Sequence, residues 1–182
     1  MYTKEEEAIK LVIKAFEGQK RIKEDINLSV HSITVGYMLK DLGCKEEVVI
    51  SALLHDIIED TEYTYDYIKN HFGQYIADNV KLVSEDTSIK DFYERKKEFI
   101  SRFEKASDDI ILIELADKLH NLVFDYPLWL EKGKEALSTL NITYEMNKWH
   151  YTEMAKLFNR RVNKNNKLLI RYNDIYKLYF GE

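Results

Sequence analysis

At 182 residues the chain is long enough to bury a real core, and it most simply forms one domain. Hydrophobic residues make up 45% and charged residues 32%, an ordinary soluble composition, and one proline with six glycines argues against a turn-rich β fold. No apolar stretch approaches the roughly 20 residues of a membrane span, and the lone Cys44 excludes an intrachain disulfide or a cysteine-based zinc cluster and suits a reducing cytoplasm.

The predicted elements are all helical. Thr3, with Glu6 three residues on, reads as a capping box. The helix it opens carries Ala8, Ile9, Leu11, Val12, Ala15 and Phe16 at helical spacing and stops at Gly18. The acidic segment before it, Met1 to Glu7, has no apolar region of the kind a secretion signal needs. Residues 19–27 are polar and read as a loop. A second helix is expected over about Leu28 to Leu42, closed by Gly43, with His31 in its first turn. Its expected apolar stripe is Val30, Ile33, Thr34, Tyr37, Met38 and Leu42.

A third helix from about Lys45 carries the run Val48 to Leu54 into His55-Asp56. Thr61 to Thr64 form a turn, Tyr65 to His71 a short helix stopped by Gly73, and Ile76 to Val83 another helix. Ser84 to Ser88 is a polar loop. Phe92 to Phe103 is amphipathic and highly charged. Ser107 caps a helix with Asp108 and Asp109 in its first turn, as the helix dipole favours. That helix is apolar nearly all round, from Ile110 to Val123, and should be central. Pro127 marks a break. Two or three aromatic-rich helices follow, with Gly133 as a kink between or within them. The fold class is therefore all-α.

Titratable residues inside these apolar segments carry the chemistry. Asp117 lies in the middle of the central helix, one turn from Asn121 and Glu114 on the same face. A buried carboxylate there needs a partner. His31, His55, Asp56 and Asp117 come from three helices, each at a helix end or on a polar stripe. Two imidazoles with two carboxylates suit manganese, iron or zinc. Glu59 follows His55 by four residues and Asp56 by three, so it projects from the same side and can orient or deprotonate a bound water. Asp60 stands beside it. Arg21, Arg95 and Lys96 are the cations available to developing phosphoryl charge.

The order His…His-Asp…Asp resembles that of the HD-domain metal-dependent phosphohydrolases. The finer pattern resembles the hydrolase domain of the RelA/SpoT homologues and their small stand-alone relatives. The segments that carry it are Gly18-Gln19-Lys20-Arg21, Leu54-His55-Asp56-Ile57-Ile58-Glu59-Asp60-Thr61, Glu94-Arg95-Lys96 and Leu115-Ala116-Asp117-Lys118-Leu119-His120-Asn121-Leu122. It covers about residues 5–125. The resemblance implies a compact helical HD-domain bundle over residues 1–182, with 126–182 as additional C-terminal helices. It implies one manganese ion on His31, His55, Asp56 and Asp117, and removal of the 3′-pyrophosphate from guanosine tetra- or pentaphosphate. Glu59 and Asp60 match the family's catalytic pair, Arg21 a residue at the nucleotide, and Asn121 a pocket residue. The chain departs from the family pattern at Ile22, Ser32, Glu114 and Val123, changes that remove positive charge or pocket shape and touch no metal ligand.

Two other readings stand beside this one: an HD phosphohydrolase acting on a nucleoside monophosphate, dinucleotide cofactor or cyclic nucleotide, and a non-catalytic nucleotide-binding sensor. His71, His120 and His150 could supply a second metal only in number. Residues 141–182 hold eight Lys/Arg against four Asp/Glu, a charge of +4 on a body of −9. The tail series Arg160-Arg161…Lys164…Lys167…Arg171 forms no nucleic-acid motif. It is expected to face solvent or a partner subunit, which leaves homo-oligomers open. The expected partner is a small-molecule nucleotide in the cytoplasm, with neither nucleic acid nor membrane.

Overall fold

Local signals at the helix ends fold largely as the sequence predicts. In a computed structural model of the chain, which describes residues 2–21, 25–139 and 141–181, Thr3 caps α1 (Lys4–Ala15). Its hydroxyl accepts from the Glu6 N–H, and the Glu6 carboxylate accepts from the Thr3 N–H at 2.7 Å. α2 spans Ser29–Asp41, α3 Glu46–Leu53, α4 Ile57–Asp60, α5 Tyr65–Phe72 and α6 Gln74–Val83. α7 spans Phe92–Arg102, α8 Asp108–Lys132, α9 Tyr144–Arg161 and α10 Lys167–Phe180, with a 3₁₀ turn at Gly133–Leu137. Among the described residues there is no strand, only an isolated bridge between Lys20 and Asn27. Ile22, one of the departures from the family pattern, lies outside the described residues.

The chain divides into two compact units, residues 1–88 and 89–182. In the first, α2 packs along α3, α1 packs on both, and α6 lies on α3 and pairs with α5. A buried polar link ties α6 to α3, because Asn79 donates to Ser51 Oγ at 3.1 Å while that hydroxyl donates to the Glu47 carbonyl at 2.7 Å.

The face that α2 buries differs from the expected apolar stripe. Val30 is 43% and Tyr37 67% exposed, whereas Ser29, His31, Ser32, Val35, Gly36 and Leu39 are buried. Backbone proximity is the reason. A Cβ built on Gly36 would stand 2.5 Å from Leu53 Cδ2 and 2.6 Å from its Cγ. The two helices meet where α2 has no side chain, so the contact face is chosen by smallness, which hydrophobic periodicity does not report.

In the second unit, α8 packs against α9 and α10, and α9 against α7. The sequence places a break at Pro127, but α8 runs through it to Lys132, and Gly133 (φ 56°) ends the helix. A mid-helix proline costs about 3 kcal/mol. Contacts on either side of it offset that cost: the Tyr179 hydroxyl donates to the Leu122 carbonyl at 2.7 Å, and the Tyr126 and Trp129 rings meet the Tyr179 ring at 6.5 and 4.7 Å. The tail aromatics Phe158, Tyr172, Tyr176 and Tyr179 are core. Arg161 does not face solvent as expected. Its guanidinium donates to the carbonyls of Phe103, Glu104 and Ala106, holding the α7–α8 connection, and Arg160 pairs with Glu104 at 2.7 Å.

The α2–α3 contact is tested by Gly36→Ala. Alanine would gain up to about 1 kcal/mol of helix propensity, but overpacking against Leu53, itself 2% exposed, costs about 1–3 kcal/mol. Urea unfolding should show net destabilisation, relieved in Gly36→Ala/Leu53→Val.

Candidate active site

His55 and Asp56 are not inside a helix. α3 ends at Leu53, and the pair occupies the turn before the four-residue α4. The His55 Nδ1–H donates to the Ala52 carbonyl at 2.7 Å, which fixes the tautomer and leaves Nε2 as a lone-pair donor. α2 brings His31 to it. The two Nε2 atoms stand 3.1 Å apart, with the rings inclined at 64°. Asp56 Oδ1 lies 3.1 Å from His55 Nε2, and its Oδ2 3.6 Å from His31 Nε2. Two imidazole nitrogens and a carboxylate thus converge on one point, both histidines 4% exposed. This mixed N/O set fits a divalent transition ion. Arg21, from the loop before α2, reaches His31 Nδ1 at 3.2 Å.

Glu59 and Asp60, neighbours on α4, sit in different environments. Asp60 is exposed. Glu59 is half-buried, and one of its oxygens accepts the Glu85 backbone N–H at 2.6 Å. Its pKa is pushed up to about 7, by burial first and then by the charges of Glu85, Asp56 and Asp60, against the opposing effect of the Glu85 N–H. A carboxyl that titrates near neutrality is matched to proton transfer at neutral pH. Sequence reasoning gave Glu85 no role, because a backbone donor leaves no side-chain signature.

In the second unit, Asp117 is 5% exposed on α8. Asn121 donates to its Oδ1 and Lys118 to its Oδ2, each at 2.7 Å, so Asp117 and Asn121 do share a face. Lys118 also meets Glu114 at 3.1 Å, so one ammonium stands between two buried carboxyl groups. The expected substrate cations on α7 are engaged within the unit: Arg95 donates to the Ile89 carbonyl at 2.9 Å, and the Lys96 ammonium stands 5.7 Å from the Phe92 ring centre. Of the remaining histidines, His71 is exposed and stacked on Tyr67, His120 lies beside Phe124, and His150 is buried in α9.

Glu59 gives a pH test. Its carboxyl has a higher pKa folded than unfolded, so the folded state holds the extra proton between about pH 4.5 and 7. Its contribution to stability is full below pH 4.5 and is lost as pH rises through 7. Unfolding in urea with chelator present should show the wild type losing up to about 3 kcal/mol more than Glu59→Gln between pH 5 and 8. Parallel curves would contradict the raised pKa.

A family profile described as "HD domain" matches residues 8–127. A guanosine-3′,5′-bis(diphosphate) 3′-pyrophosphohydrolase of Aquifex aeolicus is 33% identical over 128 residues, covering 69% of this chain and 18% of that protein. A probable GTP diphosphokinase of Arabidopsis thaliana is 34% identical over 137 residues, covering 71% and 19%. The chain spans about a fifth of the length of these curated relatives. A solved structure described as a metazoan ortholog of SpoT that hydrolyzes ppGpp aligns with a TM-score of 0.79 at 25% identity, covering 98% of this chain and 96% of that one. His31, His55, Asp56 and Asp117 all fall inside the matched segment, and the chain belongs to the HD-domain family.

Proposed function

We propose that this chain is a metal-dependent nucleotide phosphohydrolase that removes the 3′-pyrophosphate of guanosine tetra- or pentaphosphate. The observation that carries this reading is the convergence of the His31 and His55 Nε2 atoms with Asp56, one turn from a carboxyl titrating near pH 7. The names of the relatives and of the structural neighbour supply the substrate. His31, His55 and Asp56 would hold a divalent ion, manganese by resemblance, and it is the resemblance that adds Asp117 to the ligand set. A bound ion supplies Lewis acidity toward a phosphoryl oxygen and lowers the pKa of water.

The chain's own residues do the rest. Glu59, as carboxylate, orients the attacking water and takes its proton. Asp60, in solvent, passes that proton on. Arg21 meets the negative charge that grows on the phosphoryl oxygens. Asn121, Arg95 and Lys96 line the nucleotide side. Beyond the matched segment the chain continues through the end of α8, the 3₁₀ turn, α9 and α10. The enzyme is read as cytoplasmic, in line with the lone Cys44; no helix of the described residues is long and apolar enough to cross a membrane. A second reading, hydrolysis of a less highly charged nucleotide ester, draws on Glu114, a buried carboxyl group where the resemblance leads one to expect lysine.

A panel assay with manganese separates the two. Pyrophosphate release from guanosine tetraphosphate, with little turnover of nucleoside mono- and triphosphates, dinucleotides or cyclic nucleotides, supports the first; turnover of the other esters alone overturns it. A Glu59→Gln/Asp60→Asn double variant should keep its metal by elemental analysis and lose at least about 100-fold in kcat. Retained turnover would remove the role given to that pair.

A further inference from the structure

One face of the second unit is apolar and uncovered. α8 and α10 pack side by side, and an open groove runs between them. It is lined by Val123 and Tyr126 of α8 and by Arg171, Asp174, Ile175 and Leu178 of α10. Leu178 is 51% exposed, and further large apolar side chains follow along each helix, Ile170 on α10 at 48% and Leu130 on α8 at 69%. A lone exposed leucine is ordinary, whereas several on adjoining helices around one groove mark an interaction surface.

The charges on α10 define what covers it. Arg171 and Asp174 are both exposed and stand one turn apart near the middle of the helix. At 100° per residue they share one face with Ile170, Ile175 and Leu178, all within an arc of about 140°. Neither makes a hydrogen bond or ion pair among the described residues, with the other or with anything else. Opposite charges set symmetrically about the middle of one face are complementary to a copy of that face. Two α10 helices laid antiparallel, with the twofold axis midway between Tyr172 and Asn173, bring Arg171 of each copy level with Asp174 of the other. The same register brings Ile170 level with Ile175. Charge therefore fixes both direction and register. A lipid surface fits less well, because the Asp174 carboxylate would be pressed against anionic headgroups at the centre of the face.

We propose that this face binds a second copy of the chain, α10 against α10 in antiparallel pairing, as a twofold homodimer with two reciprocal Arg171–Asp174 ion pairs. The inference goes beyond the phosphohydrolase reading and holds whichever ester is turned over.

Sedimentation equilibrium of the wild type, from micromolar concentration upward, should show a monomer–dimer equilibrium. Arg171→Asp and Asp174→Arg each set like charges opposite one another, and each should raise the dimer dissociation constant about 10- to 100-fold. An equimolar mixture of the two variants restores both pairs between unlike copies, so the mixture should regain the dimer that neither variant forms alone. A general loss of structure cannot produce that recovery, and since both side chains are exposed, Tm should stay within a few degrees of the wild type. Leu178→Asp should dissociate the dimer as well.

A wild type that stays monomeric up to about 1 mM overturns the proposal. So does a dimer that both charge reversals leave intact, or a pair of variants that fail to associate on mixing. A monomer that pellets with phosphatidylglycerol vesicles, and no longer does so as Leu178→Asp, assigns the face to a membrane surface and likewise overturns it.

Discussion

The close approach of α2 to α3 at Gly36 is the constraint on which the candidate site depends. His31 sits just over one turn before Gly36 on the same helix, and His55 follows Leu53, the residue Gly36 meets, by two positions. With the helices pressed together at that point, the two imidazoles face each other and their Nε2 atoms come within 3.1 Å. Neither element could deliver this alone. α2 offers a histidine on a face with few large apolar side chains, and α3 ends two residues before its own. A larger residue at 36 would push the pair apart, and metal sites lose affinity when donor positions shift by a few tenths of an ångström.

The end of α3 matters as much as its packing. Because the helix stops at Leu53, His55 and Asp56 lie in a turn, where the His55 Nδ1–H can reach the Ala52 carbonyl and the Asp56 carboxylate can turn back toward both Nε2 atoms. The four residues of α4 then carry Glu59 over Glu85, whose backbone N–H receives one carboxylate oxygen. One short turn therefore separates a carboxyl group beside the two imidazoles from one whose pKa is pushed up to about 7. The two roles follow from environment, since Asp56 and Glu59 are chemically alike.

The second unit solves a different problem, the placing of charge inside an apolar helix. α8 carries Glu114, Asp117 and Lys118 at 2, 5 and 12% side-chain or residue exposure, and the single ammonium stands 3.1 Å from Glu114 and 2.7 Å from Asp117. The aromatic contacts of α10 keep α8 continuous through Pro127, so the segment with Asp117 and Asn121 belongs to one rigid helix of 25 residues. Arg161 fastens the end of α9 to three carbonyls between α7 and α8. These contacts fix α9, and with it the buried His150.

By itself the sequence determined what is local. Thr3 with Glu6, Ser107, Gly43 and Gly73 marked helix ends within a residue or two, because a cap or a left-handed turn involves only neighbouring residues. The order of His31, His55, Asp56 and Asp117, with Glu59 and Asp60 behind the second pair, was legible because residue order and spacing are written in the chain. Tertiary structure alone decided which face α2 buries, that α8 survives its proline, that the Glu59 carboxyl has its pKa pushed up to about 7, and that His150 is buried. Each of these depends on what a segment distant in sequence places against the residue: a leucine in front of Gly36, a tyrosine hydroxyl at Leu122, a backbone N–H from Glu85, the helices α7 and α8 packed on α9. Periodicity counts side chains along one helix, and packing between helices sets the distance and the dielectric in which they act.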